Sequence, residues 1–197
     1  MHKETPLITL QPLLRQSGGG GTAEWLLFTY RLPSEPSTKR VLVWRRLRRL
    51  GAVSQPEGGH LLPLTPRTLE QLQWLQAEVG ELGGEASLWQ VDPVPPGRSE
   101  ALQALFRQQL EEPYASVEAA VESILARLSA PLAHEELLTC EEDYQTASRR
   151  YLALRAVDYF GCSQGAEARS ALESCSAAIR AAAEGLYSPE PRGEDTP

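Results

Sequence analysis

A proline-rich segment near the middle of the chain separates two regions with different apolar patterns. The segment Asp92-Pro93-Val94-Pro95-Pro96-Gly97 predicts a stiff linker, because each proline fixes its own φ and removes a backbone donor. Before it, short apolar runs alternate with helical stripes, whereas every apolar pattern after it has helical spacing. The sequence therefore predicts an α+β domain over 24–92, a linker over 93–98 and a helical domain over 99–186.

The two ends of the chain predict no packed structure. The run Ser17-Gly18-Gly19-Gly20-Gly21 makes 1–23 a flexible leader, since a regular element does not cross such a run cheaply. The segment 187–197 is rich in proline and acidic residues and predicts a disordered tail.

The domain over 24–92 predicts four short strands and two helices. The continuous apolar run at 25–30 is typical of a strand buried on both faces. Thr65-Pro66 is typical of a helix start, a capping residue followed by proline. The predicted elements are the strand at 25–30, a basic helix from about Ser37 to Gly51, strands at 52–55 and 60–63, a helix from Pro66 to Leu82 and a strand at 86–91. The order βαββαβ is the ferredoxin-like pattern.

The region after the linker is predicted to be helical throughout. Ser99 is a candidate cap for the first helix, and Pro113 predicts a break after which a second helix begins. A long helix ends at Gly161, and an alanine-rich helix follows at about 166–186. The cluster Asp158-Tyr159-Phe160 is predicted to anchor the core.

The basic helix concentrates positive charge in an acidic protein. Residues 39–50 include six cations, although the whole chain carries a formal net charge of -7. No acidic residue lies between Lys39 and Glu57 to pair with them. The apolar arc of this helix, which is predicted to pack on the sheet, consists of Val43, Trp44, Leu47 and Leu50.

The outward cations of this helix suit a polyanion. Arginine donates two parallel hydrogen bonds to a phosphate, and each neutralised phosphate releases counterions. Arg40 lies toward the apolar arc and is also interpreted as a structural or interface residue. Two alternatives stay open, a solvated helix face and a face that binds an acidic protein. The predicted DNA-binding residues are Lys39, Arg40, Arg45, Arg46, Arg48 and Arg49.

The two predicted domains differ in charge. Residues 25–92 contain 8 Lys and Arg against 7 Asp and Glu, whereas residues 93–197 contain 9 against 17. A nearly neutral domain with a basic helix is thus joined to an acidic one. This asymmetry permits nucleic-acid binding without requiring it.

No other pattern indicates catalysis, a cofactor or a metal site. The histidines and cysteines have no ligand spacing, and no phosphate loop, dinucleotide fingerprint or Ser-His-Asp set occurs in the sequence. His60 is predicted to be structural. The odd number of widely spaced cysteines favours a reducing compartment, and no apolar run reaches the roughly 20 residues of a membrane span. We therefore expect a cytoplasmic, non-enzymatic protein without a membrane segment.

Trp74 lies off the apolar stripe of the second helix. An exposed tryptophan usually marks a contact surface. The sequence predicts that Trp74 contacts either the C-terminal helices or the partner subunit of a homodimer.

An ordered series of short motifs resembles one known family. The motifs are Trp25-Leu26-Leu27-Phe28, Leu32-Pro33-Ser34, Arg40-Val41-Leu42-Val43-Trp44-Arg45-Arg46-Leu47, Leu50-Gly51-Ala52-Val53, Leu61-Leu62-Pro63, Gly83-Gly84-Glu85-Ala86, Leu105-Phe106-Arg107, Pro113-Tyr114 and Arg155-Ala156-Val157-Asp158-Tyr159-Phe160. From about residue 24 to 180 the chain resembles the N-terminal domain of the chromate resistance protein ChrB. A more distant similarity is to PaaX-type repressors, whose central portion is ferredoxin-like.

The resemblance implies a transcriptional regulator of a chromate-resistance operon. Its basic residues near the N-terminus would bind operator DNA and release it when chromate or another oxyanion is sensed. Arg149, Arg150 and Arg155 are candidate oxyanion-binding residues, because a tetrahedral dianion suits guanidinium groups; the alternative is pairing with nearby acids of the same helix. Family members often continue into a second domain linked to the chromate response, so we expect sensing here to involve a separate partner.

The domain over 24–92 also resembles the small nuclease-like proteins of CRISPR adaptation. Those proteins place a metal-binding aspartate just after the first strand, where this sequence has Tyr30-Arg31-Leu32. A hard divalent metal needs oxygen ligands. The sequence therefore does not support a metal nuclease. In the hairpin, Gly59-His60 stands where the ChrB family usually has an aromatic residue.

Overall fold

The computed structural model describes residues 25–33, 35, 37–56, 58–91, 98–130 and 132–187. The predicted leader, most of the predicted tail and most of the linker lie outside these residues. The elements are β1 Trp25–Arg31, α1 Ser37–Arg49, β2 Val53–Gln55, β3 Gly59–Pro63, α2 Pro66–Glu81, β4 Glu85–Val91, α3 Arg98–Leu128, α4 His134–Arg155 and α5 Ser163–Tyr187. The protein is thus mostly helical with one small sheet, which confirms the predicted α+β class.

The four strands form one antiparallel sheet in the order β2-β3-β1-β4. The central strand β1 pairs with β3 on one side and β4 on the other, so that Leu26 lies opposite Leu62 and Gln90. Trp25, Leu26 and Phe28 are all buried. Because neighbouring residues of a strand point to opposite faces, the first half of β1 is buried on both faces, as the apolar run predicts, whereas its second half is partly exposed.

Helices α1 and α2 supply the apolar side chains that pack with the sheet. Helix α2 begins as predicted: the Thr65 hydroxyl accepts the backbone N–H of Thr68, and the Thr68 hydroxyl accepts that of Thr65. This reciprocal cap satisfies two donors at the start of the helix. The buried stripe of α2 is formed by Leu72, Leu75 and Val79.

Helix α3 corrects two sequence predictions. Pro113 lies inside one continuous helix of 31 residues and does not separate two helices. Ser99 is the second residue of this helix, and its buried hydroxyl accepts a hydrogen bond of 3.1 Å from the Trp25 indole. An internal proline costs about 3 kcal/mol, but the apolar stripe continues across it. The buried residues on both sides are Leu102, Phe106, Leu110, Tyr114, Val117, Val121 and Ile124.

Helix α3 also contributes to two separate cores. Leu102 and Phe106 pack with the sheet and its two helices. From Leu110 onward the same stripe packs with α4 and α5, where the three free cysteines are also buried. The stripe that overrides the proline therefore links the sheet region to the helical region.

The segment between α4 and α5 joins these two regions, which confirms its predicted anchoring role. Phe160 packs against Trp25 with ring centroids 5.5 Å apart, and the Tyr159 hydroxyl donates to the Leu50 carbonyl at 2.7 Å. Gly51, which ends α1 with φ +71, has no room for a side chain, since an added Cβ would lie 2.8 Å from the Val157 Cβ. The end of α1 is thus held against the helical region.

Asp158 is the polar centre of this junction. Its side chain is 1% exposed and accepts hydrogen bonds from the Cys162 backbone N–H, the Tyr114 hydroxyl and the Arg155 guanidinium. Burial, followed by the neighbouring Asp158 charge, raises the pKa of Tyr114 far above its ordinary value. Tyr114 therefore stays a hydrogen-bond donor to Asp158.

Candidate nucleic-acid interface

Only a narrow arc of α1 faces the core. Val43 and Leu47 are buried, and Leu50 is partly buried. Trp44 is 44% exposed, so its predicted place in the packed arc is wrong. Successive helical residues are rotated by about 100°, so Trp44 leaves α1 well to one side of the buried Val43 and Leu47. The Arg48 guanidinium lies 5.1 Å from the centroid of the Trp44 ring.

Two of the six predicted DNA-binding cations are engaged with α2. The Lys39 ammonium donates to the Leu82 carbonyl at 2.8 Å, where it satisfies a carbonyl at the end of α2. The Arg46 Nε lies 3.7 Å from a carboxylate oxygen of Glu78. Lys39 and Arg46 thus hold α1 and α2 side by side in antiparallel directions.

The other four cations are exposed. Arg40 lies close to Tyr30, where its charge opposes the rise that burial causes in the Tyr30 pKa. Arg45, Arg48 and Arg49 form the outward face of α1, and none of the three has a carboxylate partner among the described residues. We call these three residues the arginine face.

Apolar side chains lie beside the arginine face. Val41 is 42% exposed and Leu42 is 40% exposed, on the same outward side of α1. They line a shallow depression together with Arg45 and Arg49. The outward side of α1 therefore combines guanidinium groups with a small apolar surface.

A cleft of about 530 Å³ lies between α1 and α2. Trp74 lines it and is 69% exposed, so the indole does not pack on the C-terminal helices as one of the two predictions proposed. Arg67 also lines this cleft and was missed from the sequence, although it precedes Trp74 by seven residues, about two helical turns. The cleft lining comprises Arg46, Arg49, Leu50, Arg67, Gln71, Trp74, Leu75, Ala77, Glu78 and Glu81.

The three candidate oxyanion residues of α4 do not come together. Arg149 donates to the Thr146 hydroxyl at 3.0 Å, and Arg155 binds the buried Asp158 carboxylate. Because successive residues are rotated by about 100°, Arg149, Arg150 and Arg155 leave the helix in three divergent directions. The alternative prediction was that these arginines pair with acidic residues of α4. Asp143 does not pair in this way, because its carboxylate binds Arg127 of α3.

Other candidate chemical groups have structural surroundings. The His60 Nδ1 lies 3.2 Å from the Ser54 hydroxyl, and its ring stacks on Tyr30, as a structural histidine should. Burial lowers the pKa of His60. Within the described ranges, no three His, Cys, Asp or Glu side chains converge as metal ligands. None of the described helices combines the length and hydropathy needed to cross a bilayer.

Comparison of the sequence with known proteins identifies its family. The sequence matches the family model for "Protein ChrB, N-terminal" over residues 40–191. It is 32% identical over 156 residues to protein ChrB of Cupriavidus metallidurans, an alignment that covers 79% of this chain and 46% of that protein. The chain thus spans about half the length of this curated relative, and no solved structure matches it. The family match includes α1 from Arg40 onward, the cleft and all three helices of the helical region, and the chain belongs to the ChrB N-terminal family.

Proposed function

We propose that this protein is a DNA-binding regulator related to chromate resistance and that the arginine face of α1 binds the phosphate backbone of its operator. One observation carries the proposal: Arg45, Arg48 and Arg49 are exposed and have no carboxylate partner among the described residues. An unpaired guanidinium on a rigid helix can donate to phosphate without first breaking an ion pair.

The finer parts of the proposal rest on the family and the topology. The β-α-β connections and the antiparallel strand order support a ferredoxin-like sheet module. We propose a cytoplasmic, non-enzymatic role, with a homodimer bound to the operator and chromate or another oxyanion as effector. Since Arg149, Arg150 and Arg155 diverge, the effector site is better sought elsewhere or on a separate partner.

The test is binding to a duplex from upstream of the gene, followed by fluorescence anisotropy at several salt concentrations. The variant replaces Arg45, Arg48 and Arg49 by alanine. A matched control replaces Arg149, Arg150 and Arg180, which removes the same charge from exposed positions of the helical region. The slope of log K against log salt should become shallower by about 0.9 for each phosphate that the variant no longer neutralises.

The expected result is that the α1 variant binds at least tenfold more weakly, whereas the control variant binds like the native protein. Equal weakening of both variants would show a non-specific charge effect. Absence of duplex binding by the native protein at low salt would exclude the DNA proposal.

A second candidate function is recognition of an acidic protein surface. The exposed Val41, Leu42 and Trp44 favour it, because protein interfaces are enriched in tryptophan and arginine around an apolar centre. Replacing Val41 and Leu42 by serine leaves every cation in place. That variant should keep its affinity for phosphate but bind a protein partner more weakly.

A further inference from the structure

The face of α2 that lines the cleft is positive at its N-terminal end and negative at its C-terminal end. Arg67, Gln71, Trp74, Glu78 and Glu81 are spaced four, three, four and three residues apart, which places them in one row along the cleft. Arg67 lies in the first turn of α2, where the backbone N–H groups also contribute positive potential. The two glutamates lie at the other end, so an anion entering the cleft is directed toward Arg67.

Helix α1 adds a second cation to the cleft. The contacts Lys39–Leu82 and Arg46–Glu78 fix the two helices antiparallel. Arg49 lies about one turn beyond Arg46 and therefore faces the middle of α2, near Trp74. Glu78 is engaged with Arg46, whereas Arg49 and Arg67 have no carboxylate partner among the described residues.

The indole of Trp74 distinguishes this cleft from a plain anion site. It is the most exposed of the large apolar side chains in the described residues, at 69%, and it lines the same cleft as Arg49 and Arg67. A bare tetrahedral anion gains no stacking energy from an aromatic ring. A planar base gains about 1–3 kcal/mol by stacking on an aromatic side chain.

We propose that the α1–α2 cleft binds a nucleotide, whose base stacks on Trp74 and whose phosphate is bound by Arg49 and Arg67. The Gln71 amide, in the same row, offers both a donor and an acceptor to the edge of the base. Glu78 and Glu81 repel the phosphate from the opposite end and so fix the orientation. The nucleotide is either free in solution or an unpaired residue of a nucleic-acid strand, since both present the same chemistry.

The site can be tested apart from duplex binding by α1, although Arg49 lines the cleft and also belongs to the arginine face. Arg67 and Trp74 belong to α2, and the outward Arg45 does not line the cleft. Failure of duplex binding would therefore leave this proposal standing, and failure of nucleotide binding would leave the duplex proposal standing.

The experiment follows the backbone amide and indole N–H signals of the ¹⁵N-labelled full chain by nuclear magnetic resonance, so that binding is also measured in variants that lack Trp74. The chain has four tryptophans, and Trp74→Phe assigns the signal of interest. The probes are adenosine 5′-monophosphate, adenosine, inorganic phosphate and a single-stranded oligodeoxyadenylate. The variants are Trp74→Ala and Arg67→Gln, with Trp89→Ala and Arg150→Gln as matched exposed controls outside the cleft.

We expect the monophosphate or the oligonucleotide to shift the Trp74 signal more strongly than adenosine or phosphate does. Binding of the monophosphate identifies a free nucleotide, and binding of the oligonucleotide alone identifies a strand. Trp74→Ala should weaken binding about 5- to 140-fold, while Trp89→Ala changes it less than twofold.

Two results would overturn the proposal. One is that none of the probes shifts the Trp74 signal at millimolar concentration. The other is that Trp74→Ala binds as tightly as Trp89→Ala, because the cleft would then not use its aromatic surface. Circular dichroism of each variant separates a loss of binding from a loss of folding.

Discussion

The arginines of the sheet region and those of the helical region have different surroundings. In the helical region Arg127, Arg155 and Arg169 each bind a carboxylate, that of Asp143, Asp158 or Glu173. In the sheet region Arg46 alone does so among the described residues, through a longer contact of 3.7 Å. Among these contacts the Arg127–Asp143 pair joins two helices, whereas Arg45, Arg48 and Arg49 of α1 have no carboxylate partner among the described residues.

The difference shows that cation density is a weaker indicator of function than cation pairing. Lys39 and Arg46 lie in the same dense run of cations as the arginine face, yet both are engaged with α2. An ion pair must be broken before its guanidinium binds phosphate, and this lowers the net gain in free energy. Each of the following predictions tests whether paired and unpaired groups differ in this way.

The largest effect is expected at the most completely paired carboxylate. Asp158→Ala removes the acceptor for the Cys162 backbone N–H, the Tyr114 hydroxyl and the Arg155 guanidinium. It leaves the buried Tyr114 hydroxyl without this partner, so we expect a loss of about 2–4 kcal/mol in the free energy of unfolding. Urea unfolding of the variant measures this loss.

Asp158→Asn is the graded control for that experiment. Its amide oxygen still accepts the Cys162 N–H, but it no longer carries the charge that binds Arg155. Its stability should fall between the native protein and Asp158→Ala. A loss below about 1 kcal/mol for Asp158→Ala would mean that the junction does not depend on this carboxylate.

A smaller effect is expected from the arginines themselves. Arg155→Gln removes a half-exposed guanidinium from a carboxylate that is 1% exposed, and solvent screening limits the loss to about 0.5–1 kcal/mol. Arg45→Gln should change stability by less than about 0.5 kcal/mol in either direction, since no described carboxylate loses a partner. Thermal unfolding of the two variants side by side measures the difference. If both variants lost the same stability, arginines with and without a carboxylate partner would not differ in their contribution to folding.

Local patterns were enough to predict much of the fold. The apolar run of β1 and the Thr65-Pro66 start of α2 lie where the sequence places them, because an apolar period and a capping residue act over a few neighbouring positions. The break at Pro113 was wrong for the opposite reason. The residues that hold α3 together across the proline pack against distant elements, which a local rule does not consider.

The candidate site was harder to predict because its chemistry depends on partners far along the chain. Lys39 was assigned to DNA, but its ammonium binds the carbonyl of Leu82, 43 residues away. Arg67 and Trp74 lie on α2, and they form a cleft with Arg49 only after the two helices pack. The composition of α1 predicts a cationic surface, whereas the packing of α1 on α2 decides which cations remain available.

The smallest predicted effect concerns Glu118, an acidic group of the helical region that has no cationic partner among the described residues. Burial, followed by the charges of Glu167 and Glu122, raises the pKa of Glu118, and one of its carboxylate oxygens is buried without a hydrogen-bond partner among the described residues. Because the folded pKa lies above the unfolded value, ionisation of Glu118 destabilises the folded state as the pH rises through this interval, and the penalty is fully present above it.

Glu118→Gln should therefore raise the unfolding temperature at neutral pH, by up to about 2 °C, since electrostatic effects near a surface are usually below 1 kcal/mol. Below the ordinary glutamate pKa of about 4.3 both states of the native protein are protonated, and the advantage should vanish. The matched control is Glu112→Gln, because Glu112 is exposed. If Glu118→Gln raised the unfolding temperature equally at low pH, the effect would come from packing of the amide. Ionisation of Glu118 would then carry no electrostatic penalty.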